Sequence, residues 1–365
     1  MTRTAGFSRL RVPVIAGSAI SVALGGFAPL IQAADKARPA QPAGPLAASG
    51  TVAVAGVNWG YSNSTSGNTG SSGFCLVEAS YAAAHPVTTV GGMSVSATLN
   101  DALDGGLCLA VSGVEYADPA NNITLTTIAA GTVLAGAPAT MSGLTVTHEY
   151  LLFNGFTAAR MISTFTNPTA AAITVPVKID TNLGSDSNTI YVQSDTGGAS
   201  PAGVVNADRW TVTMQAYSGT TSSDPRIAMF RYSTGASSVP TVDTTPPSGV
   251  NGSDDYRDVH TVTVAPGQTV RIMKVIYVGN SKAESLAFAQ ANFTTTDALR
   301  ARGLLAGLSD PQIATIANLG PSAFVAEPAR AVPVLGGAGL AALGLLVAGA
   351  AVGGRRRQRK ESRAA

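Results

Sequence analysis

The stretch Thr261-Val262-Thr263-Val264 alternates hydroxyl and apolar residues, Ala265-Pro266-Gly267-Gln268 follows, and Thr269-Val270-Arg271-Ile272 takes the alternation up again. A period of two marks a strand with one buried face, and Pro-Gly supplies the restrained and the positive φ of a type II turn. These residues predict a hairpin. The same pattern, rich in Val, Ile, Thr and Tyr and punctuated by Gly, Pro, Asn, Asp and Ser, recurs at 51–57, 107–114, 123–128, 144–153, 159–166, 173–180, 189–193, 209–215, 226–232, 260–264 and 269–278. No segment of useful length before residue 282 has a helical period. Such a chain buries its apolar faces most economically as a mainly β protein, a large antiparallel β-sandwich of supersandwich-like extent over residues 51–281.

Residues 282–321 change character. Ala283 to Ala291 and Thr296 to Leu305 have helical composition, and "SDPQIATIANLGP" is a punctuated short helix with Asp310 as N-cap, Pro311 at the first helical position and Gly320-Pro321 as terminator. Ile313, Ile316 and Leu319 give it a narrow apolar face for packing on the sandwich.

The two ends are of another kind. Arg3, Arg9 and Arg11 precede an uncharged apolar run and small residues at Ala33-Ala34, the layout of a secretory signal peptide over residues 1–34, read by the Sec export machinery. Residues 35–50 form a Pro/Ala linker, and residues 322–332 form a second one. Val332 to Gly354 carries no charge, enough to cross a membrane once, with the transmembrane helix placed at 333–354. Residues 355–365 are a basic tail, held on the cytoplasmic side by the positive-inside rule, so the chain from Asp35 to about Ala331 lies outside. Between the signal and that tail stand 14 basic and 20 acidic groups, a net charge near −6, and no Lys or Arg occurs between Arg38 and Arg160. A chain without a basic stripe does not neutralise phosphates, which excludes nucleic acid as a partner.

Pro333-Val334-Leu335-Gly336, a short apolar run and Arg355-Arg356-Arg357 resemble the C-terminal sorting signals of the IPTL-CTERM and PEP-CTERM kind of Gram-negative bacteria, with Val334 where the IPTL pattern has Thr. The resemblance implies processing by an exosortase-type membrane enzyme, from a membrane-anchored precursor to the cell surface or medium. Gly336-Gly337-Ala338-Gly339 is also similar to GlyGly-CTERM tails, which are handled by rhomboid-type proteases. The stretches "DALDGGLCLAVSG", "SGLTVTHEY", "ARMISTFTNPTAAAITVPVKIDTNLGSDSNT", "ADRW" and "VAPGQTV" resemble an uncharacterised β-sandwich module of bacterial exported proteins, which implies the fold and brings no activity.

Cys75 and Cys108, 33 residues apart in strand-like segments, suit a disulfide in an oxidising compartment; two buried thiols or a metal pair are the alternatives, the latter short of further ligands. His85, His148 and His260 read as structural or surface residues, and no G-x-S-x-G, H-E-x-x-H or C-x-x-C is present. A glycan-acting hydrolase or lyase needs only two suitably spaced carboxylates, for which Glu149, Asp186, Asp195 and Asp208 are the candidates. No cofactor is called for. The one cation considered is Ca²⁺, with Asp186, Asn188, Asp254, Asp255 and Asp258 as oxygen ligands if their loops meet. Trp59 and Tyr61, in a Gly/Ser/Asn-rich stretch, are candidates for stacking on a surface polysaccharide, whereas Trp210 reads as core.

The sequence thus favours a non-catalytic exported surface protein with a structural, adhesive or ligand-binding sandwich over a surface-tethered glycan-acting enzyme. A reporter active only in the cytoplasm is expected to work when fused after residue 365 and to be silent when fused at residue 300; activity at residue 300 would overturn this topology.

Overall fold

In a computed structural model the Pro-Gly turn forms as its residues require: Gln268 N–H donates to Ala265 C=O at 3.0 Å and Gly267 has a φ of 68°. Its two strands nevertheless do not pair with each other. Asp255–Val264 lies in one sheet and Thr269–Gly279 in the other, so the turn is an arch between sheets and not the hairpin that the alternation suggests. Alternation reports which face of a strand is buried, and Val262, Val264 and Ile272 all point into the core, but it says nothing about which strand lies alongside. The structure describes residues 49–64, 73–82, 89–90, 93–95, 99, 101–185, 189–197, 206–215, 221–222, 224–243 and 255–323.

A second arch runs beside the first, from Ala158–Thr166 in one sheet to Ile173–Leu183 in the other. Asn167 joins the two. Its buried amide donates to Ala171 O at 2.7 Å and Val264 O at 2.8 Å, its Oδ1 accepts from Thr169 N–H at 2.9 Å, and its own N–H donates to Gln268 O at 3.0 Å.

The first sheet has the strand order Ser49–Val54, Val57–Ser64, Gly73–Tyr81, Leu103–Val111, Ile173–Leu183, Asp255–Val264, Thr241–Asp243, with Val114–Glu115 added beside Leu103–Val111. The second runs Thr189–Ser194, Trp210–Gln215, Arg226–Phe230, Thr269–Gly279, Ala158–Thr166, Leu144–Phe153, Gly131–Ala135, Thr124–Ile128, with Ala139–Met141 beside Leu144–Phe153. All pairings named within these two sheets are antiparallel. Thr89–Val90, Met93–Val95 and Thr221–Ser222 make a small third sheet. Ala55-Gly56, Ser112-Gly113 and Ser142-Gly143 close tight hairpins with positive φ at both central residues, the geometry that matches the twist of paired strands.

Between the two sheets lies one apolar core, including Trp59, Phe74, Leu76, Leu109, Tyr150, Met161, Phe165, Ile179 and Ile276. Trp59 is fully buried there, so it is not a surface aromatic for sugar stacking: Val57–Ser64 is a strand, and its Gly, Ser and Asn residues occupy that strand without preventing it. Tyr61 is half-buried, and Trp210 is core as expected. The opposite face of the second sheet carries Leu151, Phe153, Phe230, Met273 and Val275, covered by the C-terminal layer through Phe288, Phe293, Leu299, Leu304, Ile313 and Ile316.

That layer contains helices Lys282–Asn292, Thr296–Arg302 and Asp310–Ile313. Each begins at a hydroxyl cap, Ser281, Thr295 and Ser309. The third cap is Ser309 rather than Asp310, because Ser309 and Gln312 close a reciprocal capping box. Among the described residues no helix is long and apolar enough to cross a membrane; the expected signal peptide and the span at 333–354 lie outside them.

Cys75 and Cys108 form a disulfide. It joins Gly73–Tyr81 to Leu103–Val111, whose backbones share the single paired position Leu76 with Gly106. Replacing both cysteines by Ser is expected to lower unfolding stability by about 3–4 kcal/mol, the chain-entropy value for a loop of this length. Urea titration of oxidised wild type and of the double variant measures it, and equal midpoints would contradict it.

Candidate functional site

Among the described residues, two groups of polar side chains in the core between the sheets are assembled by the same alternation that builds the core. On Asp255–Val264 the inward positions include Asp258 and His260; on the facing sheet they include Lys274 and, one residue beyond Arg226–Phe230, Arg231. Asp258 and Arg231 have no exposed surface. Asp258 Oδ1 accepts from Arg231 Nε at 3.0 Å and Nη2 at 2.8 Å, and its Oδ2 accepts from Lys274 Nζ. One carboxylate therefore faces two cations across the sheet interface. Burial, and after it the Arg231 charge, pushes the Lys274 ammonium well below its usual range. His260 is lowered to about 3 by the same two causes, with Ser238 Oγ 3.0 Å from its Nδ1.

The second place is a chain of hydrogen bonds. Tyr150 Oη lies 3.0 Å from the carbonyls of both Phe74 and Leu107, which share its single proton. Its oxygen must then accept from His148 Nε2 at 2.8 Å, which puts the ring proton on Nε2 and leaves Nδ1 to accept from Ser163 Oγ at 2.8 Å. The Leu107 carbonyl is aimed inward by a bulge: Leu107 has a φ of 58°, and Asp180 and Asn182 face Cys108 and Gly105. A Ser–His pair at this distance is also what a nucleophile requires. Here both residues are fully buried, and desolvation holds His148 at about 3, so the pair is a neutral structural element.

The candidate carboxylates are dispersed. Glu149, on the helix-covered face, sits near Arg160 and Arg271; burial raises its carboxyl above the usual range, against the smaller opposing pull of the two guanidinium groups. Asp195 is held by Arg209, with Nη2 to Oδ1 at 3.0 Å. Asp208 is fully buried and accepts from Thr196 N–H at 3.1 Å and Oγ1 at 2.6 Å. Of the calcium candidates, Asp258 has both oxygens on Arg231 and Lys274 and is not available to a cation, while Asp255 pairs with Arg257 at 3.8 Å and stands opposite Asn182. Asp186, Asn188, Asp254 and His85 lie outside the described residues. No group of three His, Cys, Asp or Glu among the described residues could hold a metal.

The sequence reading missed one cluster. Asp101, with a φ of 63°, lines a crevice of about 180 Å³, counted out to solvent, with Ser185, Thr213, Gln215 and Asp224. Its N–H donates to Glu78 Oε1 at 3.2 Å. Burial first, then the charges of Asp104, Glu78 and Asp224, push its carboxyl up to about 7. Gly184 packs directly on the Asp101 carbonyl, where a Cβ would come within 1.8 Å. The space enclosed is about 10 Å³, room for roughly one water and far below ordinary ligand pockets of about 300–1,000 Å³. No local motif announces it, because its acids come from three separate segments.

Residues 330–357 match the IPTL-CTERM motif, so the chain carries a C-terminal sorting signal containing Pro333, Val334, Leu335, Gly336, Arg355, Arg356 and Arg357, and this supports an exported or cell-surface protein. No curated protein matches the chain. Solved structures with a similar trace include a TPR-domain containing protein from Parabacteroides distasonis (9% identity, TM-score 0.38, 63% of this chain and 46% of that one). Others are the heparan sulfate lyase HepC from Pedobacter heparinus (11%, 0.34, 63% and 36%) and a putative aldose 1-epimerase from Klebsiella pneumoniae (10%, 0.35, 64% and 79%). The chain spans less than half the length of the first two.

The buried histidines set a pH dependence. Unfolding returns each to an ordinary pKa near 6.5, so the unfolded chain binds more protons at these two positions below that value and their share of the stability falls as the pH drops towards 3, against an opposite contribution from Asp101. Each histidine contributes a slope of about 1.4 kcal/mol per pH unit once the unfolded form is protonated. His148→Gln is expected to remove about half of the histidine slope between pH 6 and 5, read from urea midpoints across that range; an unchanged slope would show that His148 titrates normally in the fold.

Proposed function

We propose that this chain is an exported cell-surface protein whose residues 330–357 are read by an exosortase-type membrane enzyme, and whose β-sandwich serves there as a non-catalytic structural, adhesive or ligand-binding body. The sorting motif carries the reading. Two features support it: a disulfide, which suits an extracytoplasmic compartment, and the polar contacts of Asp258 and Tyr150 that join the two sheets through the core. The runner-up, a surface-tethered glycan-acting hydrolase or lyase, rests on Asp101, whose carboxyl is raised to about 7 by burial and then by the neighbouring carboxylates, beside a crevice.

The tail's parts have separable roles. Pro333 biases the residue before it away from helix and so presents an extended segment at the membrane surface, the apolar run holds it there, and the arginines orient it. Pro333→Ala is expected to leave insertion intact and to stop processing, so that the mature protein keeps its tail through Ala365. The measurement is the mass of the C-terminal peptide from the native host in the presence of the processing enzyme. A wild-type chain that keeps the whole tail under those conditions would make the segment a plain anchor.

A further inference from the structure

The second sheet ends in an edge that lacks the usual protections. Thr124–Ile128 is last in its strand order and pairs on one side with Gly131–Ala135. Thr124, Leu125, Thr126 and Thr127 are all exposed. Natural edge strands are blunted by charge, proline, shortness or a covering segment, because a free row of N–H and C=O groups is a template for another strand. This edge has none of these among the described residues: residues 119–148 contain no Asp, Glu, Lys or Arg, and residues 120–137 contain no Pro.

Both edges of the first sheet differ from it. Thr241–Asp243 is three residues long, ends in a carboxylate and has Val242 N–H capped by Asn206 Oδ1 at 2.8 Å. Ser49–Val54 is uncharged, but its exposed side chains are only Ser49, Thr51 and Ala53. Of the exposed large apolar residues Val114, Leu125 and Val239, Leu125 alone stands inside a five-residue edge strand, 48% exposed.

We infer that Thr124–Ile128 pairs antiparallel with the same strand of a second copy of this chain, about a two-fold axis at Thr126. Pairing about that residue sets Thr124 against Ile128, Leu125 against Thr127, and Thr126 against its own copy, so the strand is complementary to itself and buries no charge. Charge selects the same partner and the same place: the region between signal and tail is net acidic, so copies repel over most of their surface and approach most easily where charge is absent. The two second sheets then run on as one. An interface of this size falls below the roughly 800 Å² per partner of a stable dimer, so the association is weak and concentration-dependent.

The test is a covalent trap in the full chain in mild detergent. Both native cysteines are joined in one buried disulfide, which leaves no thiol background. Thr126→Cys would place two thiols on Cβ atoms about 4.5–5.5 Å apart across the axis, close enough for a bridge. Under mild oxidation it is expected to form a covalent dimer at least about tenfold faster than Val239→Cys, an exposed control off the edge. Equal rates would overturn the pairing. In sedimentation, Thr126→Lys and Thr126→Glu should each dissociate alone, because like charges then face each other on the axis, and an equimolar mixture should associate again. If the mixture stays monomeric, or if either variant alone still dimerises, the inference is wrong.

Discussion

The carboxylate of Asp258 is the point on which the layers of this protein agree. It comes from one sheet and is held by Arg231 and Lys274 from the other, with no solvent to share the charge. The third layer is tied to the same place from behind: Asn318, fully buried in the C-terminal segment, donates to Arg231 O at 2.7 Å and Met273 O at 2.6 Å and accepts from Met273 N–H at 2.9 Å. Removing one member of a buried ion group typically costs about 3–5 kcal/mol, whereas replacing the whole group by apolar residues is often neutral. Its effect is therefore selective. Any other facing of the two sheets would leave a charge buried alone, while apolar contacts by themselves tolerate a slide.

Around that point, local chemistry and long-range assembly divide cleanly. Most strands, the helix caps and the Pro-Gly turn are local, and the residues state them: alternation for strands, Ser or Thr before each helix, Gly after a small residue in the tight hairpins. The strand Val57–Ser64 was hidden, since Gly, Ser and Asn dilute the pattern there, and Trp59 is core only because a second sheet covers it. The arch at 265–268 was misread for a related reason. A type II turn joins adjacent strands or crosses between sheets with the same residues, and the clamp that decides, Asn167, lies about a hundred residues earlier in the chain.

Site residues follow the same division. The disulfide and the sorting motif are legible because one needs only two cysteines and the other is read as a linear segment. Asp258 looked like a loop oxygen in an Asp-rich stretch, and nothing near it in sequence reveals that Lys274 and Arg231 wait opposite. The Asp101 cluster was invisible for the same reason, as Glu78, Asp101, Asp104 and Asp224 meet only after the strands are placed.

The paired arches also bear on when the chain can fold. Arg160 pairs with Val275 and Ile179 with Asp258, so the central strand of each sheet waits for a partner near the end of the sandwich. Distant pairings of this kind slow folding, because the loop between them must close before any contact rewards it. A nascent chain that ends before these strands has neither Asp258 nor Lys274, so Arg231 has no carboxylate to face and the central strand of each sheet lacks one of its two neighbours. Closure of both sheets therefore waits for the final strand.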